Sequence, residues 1–171
     1  NGFLDGNLSI YDTFDINQLS KFMSIYFLFG ASEFDWRDIK FYYNPFTNLL
    51  EPIGREVHSS KIYFNNNIFI NHKKLKKTFI FKIFQNDDFK KLFVNDLKKI
   101  SNIKNVNEIL EQFDKSDLNT FYFSNIYRFN NEKIKNNLLF NSEFINEYLL
   151  QKNNFEINDI SGENLKEDFS Y

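Results

Sequence analysis

Apolar residues dominate from Leu19 to Phe29, with Phe22, Met23, Tyr26 and Phe27 leaving little polar surface. Such a run predicts a helix over about 16–29 that is buried on nearly all sides. Asp15-Ile16-Asn17-Gln18 has the form of a capping box at its start, and Gly30 is a natural terminator. The period then changes. Ile39 to Tyr43 is rich in β-branched and aromatic residues, as a strand requires. Asn44-Pro45-Phe46-Thr47-Asn48 is a turn, because proline fixes its own φ and Asn bonds locally to the backbone. Leu49 to Ile53 can run back as a second strand, with Pro52 confining it to an edge or an end. The pattern therefore predicts an antiparallel hairpin over about 39–43 and 49–53, with the helix packed behind it.

Further along, Ile62-Tyr63-Phe64 and Ile68-Phe69-Ile70 are strand-like runs split by Asn65-Asn66-Asn67. A basic stretch from His72 to Lys77 follows, before the apolar residues Phe79 to Phe84. Phe89, Leu92, Phe93, Leu97 and Ile100 fall on one helical stripe, with acids at its entry from Asn86-Asp87-Asp88 and Lys98 and Lys99 in its last turn. Asn105-Val106-Asn107-Glu108 reads as another capping box ahead of Ile109, Leu110 and Phe113. Leu118 to Tyr127 suggests a further helix, and Ile134 to Phe140 plus Phe144 to Leu150 one or two more. From Gln151 the chain turns polar. The fold class expected is α+β and predominantly α-helical: one domain over 1–150, a helical bundle over about 86–150, and a polar tail over 151–171.

Composition narrows the functions. A chain of 171 residues can bury a real core, and its 23 Phe make that core aromatic. Its 26 Asn, with Lys and Ile, point to an A/T-rich coding sequence more than to a functional demand. A net charge of −2 gives no electrostatic reason to propose nucleic acid or an anionic membrane. The stretch at 72–77 lacks Arg and interleaved aromatics, so a solvated face explains it. Absence of Cys excludes disulfides and thiol chemistry, and no apolar run approaches the roughly 20 residues of a membrane span. A start at Asn1, with neither Met nor a signal-like segment, predicts a piece of something longer.

The candidate chemistry is acidic. The hairpin would bring Asp35 and Asp38, before its first strand, near Glu56, after its second. Carboxylates held at one end of a rigid hairpin can bind a divalent cation or serve proton transfer. The plainer alternative is that they are solvated loop charges, which are commonplace beside turns. His58 lies close to the acids in sequence, but its serine neighbours suit a loop equally well. His72 has no second His or Cys at ligand spacing.

These same segments resemble the CotH family, the spore-coat-protein-H kinases, whose fold is a divergent version of the protein-kinase fold. The resemblance rests on Phe14–Gly30 followed by FDWRDIKFYYNPFTNLLEPIG at 34–54, with FYYNPFTNLLEPIG its most specific element. It continues through the helical segment from Ile83 to Phe113. It implies that these residues form the C-terminal lobe of a kinase-like domain, secreted or on the cell surface. By that resemblance Asp35 would orient or deprotonate a Ser or Thr hydroxyl of a protein substrate, and Asp38 and Glu56 would hold Mg²⁺ with ATP. The chain departs from the family where Ser32 or Glu33 replaces a loop His, Asp38 replaces an Asn, and Arg55-Glu56 replaces an Asp. The fixed positive charge of Arg55 beside a cation site disfavours metal unless it points away or meets phosphate. No Gly-rich phosphate loop or strand lysine precedes the acids, so those parts would lie in a lobe N-terminal to Asn1. The alternative is a pseudokinase or surface scaffold that binds a partner without catalysis.

Overall fold

The computed structural model describes residues 2–30, 39–54, 59–62, 82–115 and 131–150. The expected segments at 63–81, 116–130 and 151–171, including the second strand-like run, the basic stretch and the helix over 118–127, lie outside the described residues. Within them the class is α+β, with more helix than strand and one two-stranded antiparallel sheet. No described helix is long and apolar enough to cross a membrane.

Helix α1 spans Ile16–Leu28. The Asp15 side chain accepts from the amides of Asn17 and Gln18, meeting two of the unpaired donors every helix start leaves. At the other end Gly30 takes the left-handed φ of +68° that ends helices without a Cβ penalty. Burial covers Leu19, Met23, Tyr26, Phe27 and Leu28, while Ile25 reaches solvent.

Strands β1 (Lys40–Asn44) and β2 (Leu49–Ile53) pair from Lys40↔Ile53 to Asn44↔Leu49. The turn chemistry is that of the sequence: the Asn44 side chain accepts from the Phe46 amide, and Asn48 closes the loop at φ 58°. The outer edge of β2 is covered by the chain before α1. The Leu50 amide donates to the Thr13 carbonyl, and the Asp15 amide donates to the Leu50 carbonyl. Phe14 is buried there and packs its ring on Phe41 at 5.2 Å. The helix is thus fastened to the hairpin through residues 13–15, but packs chiefly against the next helix.

That helix, α2 (Asp87–Ile100), starts at Asn86, whose side chain accepts from the Phe89 amide. Phe89, Phe93 and Leu97 are fully buried, as their spacing requires. Phe84 meets Phe89 and Phe93 edge to face at 5.4 and 5.1 Å, and Phe93 meets Phe27 at 6.2 Å. Pairs of this geometry add about 1 kcal/mol each beyond burial. The Ser20 hydroxyl donates to Asp96 at 2.7 Å between α1 and α2.

Helix α3 (Ile103–Lys115) corrects the sequence reading at its start. Asn102 provides the first-turn bond, accepting from the Lys104 amide, whereas Asn105 lies inside the helix and reaches back to the Lys99 carbonyl. Helix α4 (Asn131–Phe144) runs on without a break into a π-helical turn, Ile145–Leu150. Of the one or two helices expected over Ile134–Phe140 and Phe144–Leu150, one continuous element is found. Ser142 and Asn146 both donate to the Ser101 carbonyl, tying α4 to the α2–α3 corner.

Candidate functional site

Asp35, Asp38 and Glu56 lie outside the described residues, as do Arg55, His58 and His72. What the structure does describe is the frame that carries them. Eight residues (31–38) link Gly30 to Ile39, and four (55–58) link Gly54 to Ser59. Each link begins or ends at the same two places.

The first place is the open end of the hairpin. The Lys40↔Ile53 pair is the last of the ladder, so Ile39 and Gly54 leave the sheet at one end. Ile39 is buried, which fixes where the first link terminates.

The second place is a knot at the C-terminus of α1. The Ser60 amide donates to the Phe29 carbonyl at 2.9 Å, and the Ser60 hydroxyl donates to the Gly30 carbonyl. A Cβ on Gly30 would collide with the Ser60 carbonyl, so only glycine permits this approach. Helix α4 closes the knot. Asn141, fully buried, donates to the Leu28 and Ser60 carbonyls and accepts from the Ile62 amide, all at 2.8 Å. One turn earlier Asn137 donates to the Ser59 carbonyl at 3.1 Å and to its hydroxyl at 3.2 Å.

Sequence reasoning identified the acids but not Ser60, Asn137 or Asn141. Nothing local marks them, because their bonds join residues 30 to 113 positions apart. Gly30 was legible as a helix terminator, not as a point of close approach.

Around the frame, a shallow depression of about 420 Å³ is lined by Lys61, Glu132, Lys133, Asn136 and Asn137. The Lys61 ammonium sits 4.7 Å from the Phe140 ring centre. Mixed charges give this depression no single electrostatic sign. Among the described residues, no group of three or more His, Asp or Glu could hold a metal ion. The resolved carboxyl shifts have local causes: Ser9 lowers Asp12 by side-chain and backbone hydrogen bonds, and Lys90 lowers Asp87 by a hydrogen bond and its charge.

The tip of the hairpin stands clear of the core, although Phe41 and Leu50 nearer its base pack against it. Phe46 at its tip is 94% exposed, and Tyr42 and Tyr43, on opposite faces of β1, are 51% and 54% exposed. Tyr43 donates to Asn48, and Asn44 donates to Glu51, so the turn is rigid though exposed. Compared with family models, curated proteins and solved structures, the chain matches none.

Proposed function

We propose that this chain is the C-terminal-lobe portion of a CotH-type atypical protein kinase, which transfers phosphate from Mg-ATP to Ser or Thr of a surface or coat protein. One observation supports the reading beyond the resemblance. The links bearing Asp35, Asp38 and Glu56 run between the same two anchors, the end of the hairpin and the Gly30–Ser60 knot. The acids therefore belong to two links whose described ends are common to both.

In this reading Asp38 and Glu56 would hold Mg²⁺, a hard cation that prefers such carboxylate oxygens. Bound there, it would supply charge neutralisation for phosphoryl transfer. Asp35 orients the acceptor hydroxyl and takes its proton. Nucleotide contacts come from a lobe elsewhere in the full-length protein. The test is Mg²⁺-dependent transfer from ATP by that protein.

A second reading is a non-catalytic pseudokinase or surface scaffold. The exposed Tyr42, Tyr43, Phe46 and Ile53 favour it, because a rigid aromatic hairpin suits a protein partner. Arg55 beside Glu56 agrees with it too. Partner capture that survives loss of the three acids but not of Phe46 would select this reading.

A further inference from the structure

We draw no further inference here: the strongest candidate, the exposed face of the hairpin that carries Tyr42 and Ile53 with Phe46 at its tip, is an apolar surface for which nothing in the structure shows what covers it.

Discussion

Gly30 and Ser60 approach so closely that the carbonyl of Ser60 occupies the space a Cβ on Gly30 would need. Gly30 also has a φ of +68°, a conformation that side chains rarely adopt. Gly30→Ala therefore meets two penalties, left-handed strain of about 1–3 kcal/mol and a backbone clash of similar size. Gly6 is a control, since its φ of +85° carries the strain but its nearest neighbour is the Lys82 ammonium at 3.6 Å, an ordinary van der Waals distance. Urea unfolding should show Gly30→Ala losing at least about 1 kcal/mol more than Gly6→Ala, with m unchanged. Equal losses would mean that Ser60 yields freely and that the knot is loose.

The start of α3 is open to direct test. Asn102→Ala removes the side chain that accepts from the Lys104 amide and should cost about 1 kcal/mol. Asn107→Ala, on an exposed position inside the helix, should be near neutral or slightly stabilising. Thermal melts that reversed this order would contradict the start at Asn102.

That correction shows where sequence reading stops. The hairpin and α2 were legible because their signals are local: Asn44-Pro45 with Asn48 at the turn, and Asn86 ahead of a Phe89–Phe93–Leu97 stripe. With 26 Asn in the chain, several positions between Ser101 and Glu108 offer similar capping chemistry. Tertiary packing chose among them, since Ser101 is buried and its carbonyl receives Ser142 and Asn146 from α4. Asn141 belongs to the same class. An abundance read as compositional bias includes the side chain that closes the knot, because partners 79 to 113 residues away leave no periodic trace. The acids at 35, 38 and 56 were legible as residue types, and the anchors of their links emerged only from the fold.

Ser20 and Asp96 couple α1 to α2 through one 2.7 Å bond to a half-buried carboxylate. Hydrogen bonds to charged groups contribute about 1.5–3 kcal/mol. Ser20→Ala should lose about 1–2 kcal/mol, and a double-mutant cycle with Asp96→Ala should return a coupling near 1 kcal/mol. Additive losses would show that the contact contributes nothing in solution.

Asp87 and Asp12 should separate in a pH titration followed by carboxyl NMR. Lys90 lowers Asp87 below its ordinary 3.8, first by a hydrogen bond and then by its charge, whereas Ser9 lowers Asp12 by neutral hydrogen bonds. A lowered folded value means that the stabilisation is present above 3.8 and is lost as pH falls through the folded midpoint. Lys90→Met should return Asp87 toward 3.8 and leave Asp12 unmoved, and salt of about 1 M should raise Asp87 more than Asp12. Identical salt responses would contradict the ion-pair assignment.

Mg²⁺-dependent phosphoryl transfer from ATP by the full-length protein, compared with Asp35→Asn, Asp38→Ala and Glu56→Gln, tests the kinase reading most directly. The wild type should transfer phosphate. Asp35→Asn should lose about 10²–10⁴-fold in turnover with nucleotide binding retained, because a base acts on the acceptor hydroxyl. The two ligand variants should weaken Mg-ATP use throughout, because the ion neutralises charge in both ground and transition states. Wild-type protein that transfers no phosphate, with all three variants folded and binding partners normally, would contradict the enzyme and leave the scaffold.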